Sequence, residues 1–171
     1  MTKTRLVHGL AAICAMAALA AALAPRASAA TATANLTVGA TVTKNCTVTT
    51  SALAFGSYDP VVANVAANLD GTGTLSVACT RGATAVVGLG AGSNSSGSTR
   101  RMADGAGNYL AYELYSDSGR GNVWNTGGGT LGLTAAPSRA VRDFTVYGRI
   151  AGNQDVPAGT YGDTVVATVN F

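Results

Sequence analysis

The sequence predicts an all-β sandwich of the immunoglobulin-like kind. Two observations carry this. No stretch beyond the first thirty residues shows a helical period. Instead, short runs rich in Val, Thr and Tyr are bounded by Gly, Pro, Asn and Asp, and about seven such runs follow one another at the spacing of a sandwich.

Residues 1–29 read as a secretory signal peptide. Lys3 and Arg5 form a positive start, Leu10 to Leu23 an apolar run, and Ala27-Ser28-Ala29 a small-residue cleavage pattern after Pro25. The run falls short of the ~20 apolar residues that span a bilayer. Cleavage would remove Lys3, Arg5 and Arg26, taking eleven basic residues to eight against eight acidic ones. The formal charge of +3 thus belongs to the leader, and a neutral mature chain argues against nucleic acid as a partner. His8 leaves as well, so no histidine is left for a Ser–His–Asp triad. Cys14 also leaves. The remaining pair, Cys46 and Cys79, suggests one disulfide in an oxidising compartment.

Residues 31–43 alternate with period two over thirteen positions. Ala32, Ala34, Leu36, Val38, Ala40 and Val42 point one way, and mainly Thr and Asn the other. This is long against the ~5–6 residues of a usual strand, and it opens the mature chain, where order normally fades. Further strands are expected over 44–50 (Cys46, Val48), 52–56 (Leu53, Phe55), 72–80 (Leu75, Val77, Cys79) and 83–90 (Val86, Val87, Leu89). They continue over 109–116 (Leu110, Tyr112, Leu114), 141–150 (Phe144, Val146, Ile150) and 160–171 (Tyr161, Val165, Ala167, Val169, Phe171). Gly90 to Gly107, Asn125 to Gly132 and Asn153 to Gly159 read as loops.

Chemistry is sparse in this pattern. Asp104, Glu113 and Asp117 are the conceivable acid pairs, but Glu113 falls on a strand and Asp117 in the turn after it. Gly127-Gly128-Gly129 is a bare glycine run and reads as a loop, not a phosphate cradle. No calcium-loop, P-loop or zinc spacing occurs, so no metal, cofactor or enzymatic activity is expected. Arg100-Arg101 read as two solvated loop arginines, with a binding patch as the alternative. Tyr109, Tyr112, Tyr115 and Trp124 belong to core or interface, or else stack on a sugar.

Several segments, taken in order, resemble the spore coat protein U domain family. They begin with Cys46-Thr47-Val48, Phe55-Gly56 with Tyr58-Asp59-Pro60, and Val77 to Cys79. Arg100-Arg101-Met102-Ala103 with Gly105, Tyr109-Leu110, Tyr112, Leu114-Tyr115, Asp117 and Val123-Trp124 make the central part. Thr145-Val146-Tyr147-Gly148-Arg149, Pro157-Ala158-Gly159-Thr160-Tyr161 and Asp163-Thr164-Val165 to Phe171 make the end. The family includes subunits of Csu-type pili built by the archaic chaperone–usher pathway.

The resemblance implies an incomplete immunoglobulin-like sandwich that lacks its last strand and carries an N-terminal donor strand. It implies a Cys46–Cys79 disulfide, with 30–43 as the donor segment and 44–171 as the domain. Ala32, Ala34, Leu36, Val38, Ala40 and Val42 would insert into a neighbour, which gives the long terminal alternation a purpose. Val165, Ala167, Val169 and Phe171 would form an edge for a chaperone or an acceptor groove. The implied partners are copies of this chain or related subunits, a periplasmic chaperone and an outer-membrane usher. The implied function is a structural pilus subunit, exported through the periplasm to the cell surface and serving attachment and biofilm formation. The alternatives are a coat or other surface component of the same fold, and a monomeric carbohydrate-binding module.

Overall fold

The computed structural model describes residues 28–171; the expected signal peptide lies almost wholly outside them. The chain divides into two units, one ending at Ala40 and the other spanning Thr41–Phe171. The described residues of the first unit are exposed and form no strand.

The second unit is built from eight strands: β1 (Cys46–Thr50), β2 (Leu69–Cys79), β3 (Ala85–Leu89), β4 (Arg100–Ala103), β5 (Tyr109–Tyr115), β6 (Leu131–Leu133), β7 (Arg142–Ile150) and β8 (Ala167–Asn170). No helix occurs among the described residues. A five-stranded sheet runs β1-β2-β7-β5-β4 and a three-stranded sheet runs β6-β3-β8, with every ladder antiparallel. Alternation buries one face of each strand. Leu75, Val77 and Cys79 of β2, Leu110, Tyr112 and Leu114 of β5, and Val146 and Ile150 of β7 meet Ala85, Val87 and Leu89 of β3 in one core. Within β3 Ala85, Val87 and Leu89 point inward, and Val86 is 41% exposed.

Cys46 and Cys79 are joined by a disulfide at the first rung of the β1–β2 ladder. Just outside it, Thr80 N–H donates to Asn45 O at 2.8 Å and Asn45 N–H donates to Thr80 Oγ1 at 3.0 Å.

Arg100 corrects the reading of solvated loop arginines. It opens β4 and is 2% exposed. Its guanidinium donates to Leu89 O at 2.9 Å, Gly90 O at 2.9 Å and Trp124 O at 2.7 Å, and it pairs with the Glu113 carboxylate. One planar fork thus ties the end of β3 in the small sheet to β5 in the large one, a task suited to guanidinium geometry. Arg101 lies over the Tyr109 ring at 4.0 Å.

Two expected strands, and the first part of the one expected over 160–171, are unpaired. Residues 31–43, 52–56 and 160–166 make no ladder, apart from a single bridge between Gly162 and Ala103. Their alternation is suited to a strand, but a ladder needs a continuous hydrogen-bonding neighbour; among the described residues 52–56 make no backbone bond and 160–166 make only scattered ones. Conversely, β4 forms inside the stretch Gly90 to Gly107 read as a loop, and β6 begins at the end of the stretch Asn125 to Gly132.

Replacing Arg100 by Met strands three carbonyls and the Glu113 charge. We expect a loss of about 3 kcal/mol in urea unfolding, while Arg101→Met costs under ~1 kcal/mol. The double variant Cys46→Ala/Cys79→Ala releases a loop with a sequence separation of 33. It should lower stability by about 3–4 kcal/mol in the same assay.

Candidate functional site

A cleft with an apolar floor opens between residues 50–61 and 155–167. After Thr50 the chain leaves β1, pinned by Ser51 N–H donating to Thr74 O at 2.8 Å and Thr74 N–H donating to Ser51 Oγ at 2.9 Å. Leu53 and Phe55 then lie over the inner face of the large sheet, where β2 and β7 present glycines. A methyl group at Gly148 would stand 2.7 Å from Phe55 Cζ, and one at Gly73 would stand 3.0 Å from Leu53 Cβ. Those missing side chains make the room that Leu53 and Phe55 fill. The Phe55 ring meets Tyr112 edge to face with centroids 6.1 Å apart. Farther on, Tyr58 Oη donates to Ala151 O at 3.2 Å and accepts from Gln154 N–H at 2.9 Å. The wall ends in a turn fixed by Asp59, whose carboxylate accepts from Val61 and Val62 N–H. Those bonds hold its carboxyl below the ordinary range.

The opposite wall is the stretch from Asp155 to Ala167. Its far side is bonded: Ala103 and Gly162 exchange N–H···O bonds of 2.9 and 3.0 Å, Ser93 N–H donates to Thr164 O at 3.0 Å, and Gly90 N–H donates to Val166 O at 2.8 Å. Its near side, carrying the N–H and C=O of Tyr161, Asp163 and Val165, has no backbone partner among the described residues. The same holds for residues 52–58 on the first wall. Two strand-like walls therefore face each other with unpaired backbone, over a floor of Met102, Leu110, Tyr112, Leu114, Val146 and Ile150.

The cleft has two compartments that share Leu53, Phe55, Met102 and Tyr161. The one toward Val165 and Ala167 has a volume of about 370 Å³, and the one toward Pro60, Val61 and Asp155 about 900 Å³. In the smaller, Tyr112 Oη donates to Asp163 Oδ2 at 2.7 Å. Burial, and next the Asp163 carboxylate, push the Tyr112 phenol far above its ordinary pKa, so it stays protonated. Asp163 Oδ1 accepts from the backbone and side-chain amides of Asn94, at 3.1 and 3.2 Å.

Of the expected edge residues, Val165 and Ala167 line the cleft. Val169 pairs with Val87 in β8 and packs on the core, and Phe171 is 54% exposed at the chain end. The alternating residues of 31–43 are all exposed, Leu36 at 87%, Val38 at 84% and Val42 at 83%. Met102, Tyr112 and Asp163 were not foreseen as cleft residues; the run of glycines at inward strand positions was the available signal. The aromatics weighed as a sugar platform do not assemble one. Trp124 is fully buried, with its indole N–H donating to Val87 O at 2.9 Å. Tyr112 faces the core, while Tyr109 lies on the other side of β5 beneath Arg101.

Comparison with known proteins agrees with this architecture. A chain in the crystal structure of the CsuC–CsuE chaperone–tip adhesion subunit pre-assembly complex, from archaic chaperone–usher Csu pili of Acinetobacter baumannii, has the same fold with a TM-score of 0.58 at 19% identity. The match covers 77% of this chain and 41% of that one, so this chain spans less than half of the neighbour's length. Protein U of Myxococcus xanthus is 46% identical over 128 residues, covering 70% of this chain and 71% of that protein. The spore coat protein U domain model matches residues 32–168, nearly everything the structure describes. With that span matched and its immunoglobulin-like sandwich in place, the chain belongs to the spore coat protein U domain family.

Proposed function

We propose that this protein is a structural pilus subunit that polymerises by strand exchange. Residues 31–43 of one copy would lie in the cleft of the next. The observation that carries the reading is the pair of facing walls, 52–58 and 161–165, whose cleft-facing backbone groups are unpaired over an apolar floor. A strand laid between them would satisfy both walls and cover Leu53, Phe55, Met102, Tyr161 and Val165, all only partly buried. The exposed alternating segment supplies a strand of the right pattern, with six apolar residues on one side.

The contact is head-to-tail, so it propagates into a fibre instead of closing into a ring. The lone subunit presents an open edge, a hazard during export. A periplasmic chaperone would cover that edge and an outer-membrane usher would exchange the cap for the next subunit. The neighbour's chaperone–subunit complex supports the chaperone; the usher and the cell-surface location follow from the same reading. Attachment and biofilm formation are the roles such a fibre would serve. A coat component of the same fold is the second reading, favoured by the similarity to Protein U and by the family's spore-coat description.

Surface-sheared material from the native cell should give a ladder on an unboiled denaturing gel that collapses to one band on boiling. Deleting residues 31–42 should abolish the ladder while the truncated chain still co-purifies with its chaperone. A single monomer band from wild-type cells, boiled or not, would exclude strand-exchanged polymer.

A further inference from the structure

The two compartments of the cleft differ in size and in chemistry, and the donor segment differs along its length in the same sense. The smaller compartment is lined by Asp163 and Tyr112, which are bonded to each other. These groups are not free to swing aside. Asp163 is held by both amides of Asn94 as well as by Tyr112 Oη. Behind it Gly92 sits at φ +92°, so close that a methyl group there would stand 1.9 Å from Asp163 Oδ2. The larger compartment, bounded by Leu110, Ile150, Val156 and Pro157, carries no such polar clamp on its floor. On the donor segment, the inserted face begins with two alanines, Ala32 and Ala34, and continues with Leu36, Val38, Ala40 and Val42.

We propose that the Tyr112–Asp163 clamp is a size gate that admits only small donor side chains, and that it reads Ala32 and Ala34 of the incoming copy. This rests on the strand-exchange reading and adds to it a register. The alanines lie in the small compartment, and the larger side chains reach the roomy one. A donor laid this way runs antiparallel to the 161–167 wall and parallel to residues 52–58 on the other wall. A bulky residue at the gate meets a fixed carboxylate and phenol, and overpacking against a fixed wall is unfavourable. The same bulk at the other end has space.

The test places leucine at either end of the donor in the full-length protein, expressed with its own assembly genes. Both positions are exposed in the subunit, so neither change touches its core. Ala34→Leu should cut the boil-sensitive ladder at least about tenfold. Ala40→Leu should leave it within about twofold of wild type. Equal periplasmic amounts of the two variants, read on boiled samples, separate assembly from export. The reverse asymmetry, or equal effects at both positions, overturns the gate while leaving strand exchange standing. A wild-type chain that forms no ladder sinks strand exchange, and the gate with it.

Discussion

Backbone that is not hydrogen-bonded must face water or find a partner, and this requirement governs the domain. Across the cleft, residues 52–58 and 161–165 hold strand-like courses without a ladder between them. Each is kept in place from behind. The first is held by the packing of Leu53 and Phe55 on the glycines of β2 and β7, the second by its bonds to Ala103, Ser93 and Gly90. The sandwich therefore keeps its shape around an unfilled position. An ordinary sandwich would close there and hide its floor.

Keeping that shape demands a strong link between the two sheets elsewhere, since the cleft side contributes little. Arg100 supplies part of it. A buried guanidinium is costly unless every donor is occupied. Here three carbonyls and a carboxylate engage all three of its nitrogens, two of the carbonyls lying at the end of β3, where the small sheet meets the cleft. Trp124 acts alongside, filling the core with its indole N–H bound to β3. Within the large sheet, the Gln154 side-chain amide accepts from Ala111 N–H and donates to Ala111 O, taking the place of a strand neighbour for β5 after β7 has ended.

How much of this was legible in the sequence depended on whether period and partner coincide. Leu75, Val77 and Cys79, and Leu110, Tyr112 and Leu114, alternate and each lies in a ladder with a neighbouring strand, so their pattern and their burial agree. Residues 52–56 and 160–166 alternate equally well, yet pairing is a property of two segments and cannot be read from one. The strand β4 was hidden for a different reason. Its four residues follow a Ser/Gly/Asn run, and its first is an arginine, a residue type almost never buried unless paired. The convergence of carbonyls from Leu89, Gly90 and Trp124 on Arg100 leaves no trace in local composition. Of the site, Val165 and Ala167 were legible as one wall, whereas the clamp of Tyr112 and Asp163 joins residues fifty-one positions apart.

The placement of the disulfide has a mechanical consequence. An edge strand pulled from its end parts from its neighbour rung by rung, like a zip, and each rung resists only briefly. Any tension along the segment preceding Asn45 would enter the domain at the free end of β1, which is such an edge strand. There the first rung is covalent, Cys46 to Cys79, and Cys79 ends β2, the longest strand of the large sheet. The load is thus handed across to β2 before the zip can start, and from β2 it spreads in shear along the nine-residue ladder with β7.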